Sequence, residues 1–248
     1  MNLSLRGTIV HRTGDALGDI LVIDHGKHRI LSFDSVFEQS KIKRLRPHVP
    51  VHEYNRAMLL PLVWREPRHA TILGLGGGVL LGALHTMLPA CELHAVELRG
   101  EVVAVAREYF SLPQGHNIRI TVSDARPALR ELAPGSTDLI LADMYGADHM
   151  SPAQSQRRFI DQCLDALSES GWLAINYHRS PQDGPLFQHI RRCFASVFMF
   201  RSKTNNYVLY ASVQPAAPIT RENPRLKELQ RRLPIDWTGL AGRITPMN

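Results

Sequence analysis

Residues 70–100 read ATILGLGGGVLLGALHTMLPACELHAVELRG, and this stretch decides the fold. A short apolar run ends in glycines, GVLLGALHTML follows with helical spacing, and CELHAVEL is a second apolar run closed by Glu97. The same beat continues downstream: GEVVAVAREYF, ARPALREL, QSQRRFIDQCLDALSES and PLFQHIRRCF have helical spacing, while IRITVSD, DLILAD and GWLAINYH are strand-like. Apolar strands alternating with helices predict an α/β fold with a parallel sheet covered on both faces. ASVFMF and NYVLYAS, joined by the polar RSKTNN, predict a closing antiparallel hairpin.

Upstream, GDILVIDHGKHRILSF predicts a hairpin with strands at residues 20–23 and 29–33. VHEYNRAMLLPLVW has the spacing of one helix between Pro50 and Pro67. Downstream, VQPAAPITRENP is a Pro-rich connector, Asn223 and Pro224 can open a short basic helix over 225–233, and GLAGRITPMN is expected to be irregular. Three segments result: a small β domain (1–50), a ligand-binding domain (51–213) and a C-terminal connector with its helix (214–248).

The 248 residues are 44% hydrophobic and carry a net charge of +6, mostly arginine, which excludes a disordered chain. No apolar run of the ~18 residues a membrane span needs is present, nor a signal-peptide pattern, so a cytoplasmic protein is expected. Cys91, Cys163 and Cys193 lie far apart without CxxC spacing. They are expected as small core residues, with neither a disulfide framework nor a metal site. The basic clusters KIKRLR (41–46) and Arg231-Arg232 lack interleaved aromatics and any nucleic-acid motif, so a solvated face or a subunit contact is the expectation.

Open parallel sheets bind ligands beyond the C-terminal ends of their strands, so the residues there carry the chemistry. At the first end Gly74, Gly76 and Gly78 form GxGxG; the dinucleotide fingerprint fails because its sixth position is Val79. At the second, Glu97 can accept hydrogen bonds from both hydroxyls of a ribose. At the third, Asp124 can accept from an adenine amine, cap the next helix, or do both. At the fourth, Asp143 can hold a substrate cation or take a proton from an attacking nitrogen, with Tyr145 placed to pack on a ligand. Neither a zincin HExxH (position 56 is Arg), nor GxSxG, nor a phosphate-binding P-loop occurs.

Taken in order, ILVIDHGKHRILSFDSVFEQS, VHEYNRAM, ATILGLGGGVL, HAVELRGEVVAVAREYF, ITVSDARPAL and DLILADMY resemble the spermidine synthase family of aminopropyltransferases, in its shorter spermidine-synthase-like branch. The resemblance spans roughly residues 18–211. It implies a Rossmann-like class I S-adenosylmethionine-dependent methyltransferase fold behind a small N-terminal β domain, assembled as a homodimer or homotetramer. It implies decarboxylated S-adenosylmethionine as donor and an amine such as putrescine as acceptor. By position, Gln39 and His52 would touch the donor, Gly74, Gly76 and Gly78 would shape its loop, Glu97 would hold the ribose, and Asp124 with Ala125 the adenine. Asp143 would be catalytic, with Tyr145 and Asp148 at the amine substrate.

Three positions depart from the family pattern: Gly77 where an acid is expected in the glycine loop, Gly146 where a second acid follows Asp143, and Val51 where a Tyr precedes His-Glu. All fall at the amine end. A buried diamine needs carboxylates, because an unpaired buried cation costs several kcal/mol. Two further readings therefore stand beside the first: a methyltransferase using intact S-adenosylmethionine, and a nucleoside-binding module without catalysis.

Overall fold

The computed structural model describes residues 7–33, 37–145, 152–182 and 184–247. The N-terminal part is a four-stranded antiparallel sheet of β1 (Thr8–Asp15), β2 (Gly18–His25), β3 (His28–Ser32) and β4 (Ser40–Lys43), in that order. The expected hairpin is its centre. Ile20, Val22, Leu31 and Ile42 face Val102, Val105 and Phe110 of the larger unit, while Leu21, Ile23 and Ile30 form a small cluster on the other side. β1 escapes sequence reading because its side chains are nearly all exposed. β4 escapes it because its lysines alternate with the buried Ser40 and Ile42 inside what looks like a run of charge.

The single helix expected after Pro50 is two: α1 (Glu53–Met58) and α2 (Pro61–Trp64). Pro61 opens the second, where its missing N–H costs nothing. Then come β5 (His69–Leu73), α3 (Val79–Met87), β6 (Glu92–Glu97), α4 (Gly100–Tyr109), β7 (Ile118–Val122), α5 (Ala125–Glu131), β8 (Thr137–Ala142), α6 (Arg157–Ala166), β9 (Leu167–Tyr177) and α7 (Pro185–Cys193). The chain ends with β10 (Ser196–Arg201), β11 (Tyr207–Ser212), α8 (Pro224–Arg232), α9 (Trp237–Ala241) and β12 (Ile244–Pro246). The main sheet runs β12-β10-β11-β9-β8-β5-β6-β7, with β5 to β9 parallel and β11 antiparallel to β9. The order reverses between β5 and β8, which opens a crevice at their C-terminal ends.

The tail is not irregular. α8 is capped by Asn223, whose side chain accepts from the Arg225 N–H at 3.0 Å. Trp237 is fully buried and donates from its indole N–H to the Leu233 carbonyl at 3.0 Å, and β12 pairs with β10. The Asn223 cap is local and follows from the sequence, whereas the pairing of β12 with β10 joins residues 44–48 positions apart, so the local pattern does not announce it. Three cations of the two basic clusters are paired: Lys41 meets Glu38 at 2.9 Å, Arg44 meets Asp24 at 3.3 Å and Arg232 meets Glu66 at 3.0 Å, where Arg225 joins it at 3.1 Å. Cys91 and Cys163 are core residues whose thiols burial pushes up, Cys91 to about 12. Cys193 is only half-buried, 3.6 Å from His189 Nε2, which itself meets Asp161 at 2.6 Å.

Candidate active site

The glycine turn after β5 is shaped by what surrounds it. Gly74 (φ +90°) lies so close to the next strand end that a Cβ there would sit 2.3 Å from the Asp143 carbonyl oxygen. Gly78 (φ +72°) caps α3, and a Cβ on it would meet Leu112 at 2.2 Å. These positions demand glycine on two grounds, left-handed backbone and close approach.

The turn hands its free N–H groups to Glu97 at the end of β6. Glu97 Oε2 accepts from Leu75 N at 3.0 Å and Gly76 N at 3.2 Å, and Oε1 accepts from Arg99 N at 3.0 Å. Three backbone donors fix the carboxylate, which is 8% exposed, with its remaining lone pairs available to a ligand. Arg99 is held in turn by Asp15 of β1 at 2.9 Å and stacks over Phe33 at 4.6 Å, so the N-terminal sheet braces this corner. Asp124 caps α5, accepting from Arg126 N at 2.8 Å, while also lining the cleft. Leu17, Phe37 and Leu98 also line the cleft and stay more than half exposed.

Glu97, Asp124 and Asp143 line one cleft of about 1360 Å³ with Gln39, His52, Gly74, Gly76, Ala125 and Tyr145. Gly78 shapes the turn from behind and is not in the wall. Nor is Gly77, which packs toward Ser40 and Phe110, its N–H donating to Ser40 Oγ at 2.9 Å. Of Gly76 and Gly77 it is Gly76 (φ +52°) that lines the cleft. Asp148 and Gly146 lie outside the described residues.

At the floor, Asp143 Oδ1 accepts from Asn176 Nδ2 at 2.8 Å and Oδ2 from Asn55 Nδ2 at 3.3 Å. Burial pushes its carboxyl from 3.8 up to about 6, against the pull of these two donors. Such a carboxylate is ionised at neutral pH yet basic enough to accept a proton. Tyr145 donates its hydroxyl to the Asn176 carbonyl at 2.8 Å and meets His178 edge-on, ring centres 4.5 Å apart. His52, also in the lining, stacks with Tyr54 at 5.7 Å. His52 Nε2 has no hydrogen-bond partner among the described residues and lies 3.6 Å from Glu38. Burial holds this imidazole below its ordinary value, so it is neutral at pH 7. Tyr54 brings a phenol into the cleft although position 51 is Val.

Asn55, Asn176, Asn206, Tyr54 and His178 escaped sequence reading. Asn176 ends the fifth parallel strand, so the strand-end rule extended by one strand would have found it. Asn55 and Asn206 carried no such signal, sitting in a helix and in a polar hairpin.

Among curated proteins the chain is 32% identical over 165 residues to the polyamine aminopropyltransferase of Chromobacterium violaceum, covering 66% of this chain and 63% of that protein. It is 28% identical over 205 residues to that of Vibrio vulnificus, covering 78% and 66%. The matched stretch thus spans just under two thirds of these relatives. No family model matches. Among solved structures, a probable spermidine synthase from Corynebacterium glutamicum superposes with a TM-score of 0.76 at 19% identity, covering 91% of this chain and 87% of that one. A spermidine synthase in complex with the transition state analogue AdoDATO gives 0.67 at 17% identity, covering 83% and 74%. Human methyltransferase-like protein 13 in complex with SAH gives 0.58 at 21% identity, covering 74% and 88%. The fold is therefore the Rossmann-like one shared by spermidine synthases and class I methyltransferases, with the small antiparallel sheet in front.

Proposed function

We propose that the chain is an aminopropyltransferase, moving an aminopropyl group from decarboxylated S-adenosylmethionine to an amine. The observation that carries this reading is one cleft lined by Glu97, Asp124 and an asparagine-held, raised carboxylate, Asp143. The sequence likeness to polyamine aminopropyltransferases supports it.

Glu97 holds the ribose hydroxyls, and Asp124 with Ala125 the adenine edge. Gln39 and His52 close over the donor from the N-terminal side, and Tyr145 borders the acceptor, where Asp148 is the further candidate. Asp143 takes a proton from the acceptor ammonium. The freed nitrogen lone pair attacks the methylene beside the sulfonium, the carbon–sulfur bond breaks, and its electron pair stays on sulfur as the thioether methylthioadenosine. Holding both reactants in line supplies most of the acceleration. The chain would work as a homodimer or homotetramer, which sedimentation can check. No described helix is long and apolar enough to cross a membrane.

Incubation with each donor and a panel of amines, read by mass spectrometry, tests the proposal. The expected result is an aminopropylated amine together with methylthioadenosine from the decarboxylated donor. A methylated product from the intact donor would assign the chain to the methyltransferases instead. Gly76 favours that alternative in one respect: the loop presents no carboxylate to repel the donor's own.

A further inference from the structure

The hairpin joining β10 to β11 is built tightly. The Ser202 N–H donates to the Asn206 carbonyl at 2.8 Å, and Ser202 Oγ accepts the N–H groups of Thr204 at 3.2 Å and Asn206 at 3.0 Å. Asn205 takes the left-handed backbone (φ +64°) that asparagine tolerates well. The turn brings Asn206 to 6% exposure, and its Nδ2 donates to Asn176 Oδ1 at 3.0 Å. Asn176 is 1% exposed, and its Nδ2 donates to Asp143.

A side-chain amide has one donor end and one acceptor end. Once Asn176 Oδ1 is engaged by a donor, only Nδ2 is left to meet Asp143. From this buried chain we infer that Asn206 is a positioning residue: it selects which end of the Asn176 amide faces Asp143 and so keeps that carboxylate an acceptor. Were the amide reversed, its oxygen would oppose the carboxylate, and Asp143 would retain a proton to bridge the two. The importance of this for turnover rests on the role proposed for Asp143. Among the described residues, the other side chains that act on Asp143 are Asn55 and Tyr54 from α1 and Tyr145 after β8. Both phenols are neutral, because burial pushes them up. Gly74, after β5, offers backbone only.

Carboxyl ¹³C NMR of the free full-length chain reads the titration of Asp143 without any substrate, its signal being identified by loss in Asp143→Asn. Asn206→Leu removes the donor at similar volume. It should raise the Asp143 midpoint by about half a unit, a roughly threefold change in acid constant, and Asn176→Leu by about one unit. The double variant should match Asn176→Leu, because Asn206 acts through Asn176. An unmoved midpoint in Asn206→Leu overturns the inference, and so does a further rise in the double variant equal to that seen alone. Asn206→Ala carries the same expectation should the leucine variant not fold. If the midpoints move as stated but wild type transfers no aminopropyl group, the proposed reaction fails while the positioning role stands.

Discussion

Replacing Asp143 by Asn should make the folded protein gain stability relative to wild type as pH rises, at the same time as it stops turnover. The carboxyl is raised from 3.8 to about 6 in the fold, so the folded state holds its proton more tightly than the unfolded chain does. Stability from this group is therefore intact below the unfolded value and is lost as pH climbs through the folded one. A rise of about two units amounts to a penalty of ~3 kcal/mol at high pH. Some 2 kcal/mol of it, roughly, develops between about pH 4.5 and 7.5. Asparagine does not ionise and escapes this loss. It turns an amide N–H₂ toward one of the Asn176 and Asn55 donors, but that cost is independent of pH and cancels when the two proteins are compared across pH. Thermal melts of both proteins over this range should show the variant's Tm moving up relative to wild type by ~4–8 °C. A gap constant to within about 0.5 kcal/mol would mean that the carboxyl titrates alike in folded and unfolded chains, and the base assigned to this site would be lost with it.

For turnover, kcat/KM should rise through an acid limb near pH 6 as Asp143 ionises, and Asp143→Asn should lower it by roughly 10²–10⁴-fold in stopped-time product assays. Gly74→Ala places a Cβ 2.3 Å from the Asp143 carbonyl on a backbone at φ +90°. It should cost about 2–4 kcal/mol of stability in denaturant melts and abolish methylthioadenosine binding in calorimetry. Glu97→Gln replaces one of the two oxygens that accept from Leu75, Gly76 and Arg99 by a donor. The same titration should show binding weakened by roughly 10–100-fold, where an unchanged affinity would remove Glu97 from the ribose. Arg243→Ala breaks the half-buried pair with Glu53 at 2.6 Å and should lower stability by about 1 kcal/mol, read as a small fall in Tm.

Strand-end carboxylates, the glycine turn and the alternation of strands with helices were legible along the chain, because each depends on neighbours a few residues away. The apolar runs closed by Gly74, Glu97, Asp124 and Asp143 each stop where a parallel strand stops, and the topology alone sends those ends to one crevice. What holds Asp143 was only partly legible. Asn176 stands at a strand end, where such residues are expected, but Asn55 lies in a helix and Asn206 in a hairpin, 121 and 30 positions from Asn176, and nothing local distinguishes these two from solvated asparagines. The tail's Trp237 and β12, and the face that Gly77 turns to Ser40, were settled the same way. Periodicity and turn chemistry act over one or two turns of chain and are written in composition. A hydrogen bond between distant side chains exists only once the packed core has fixed where each is held and has taken away the water that would otherwise satisfy it.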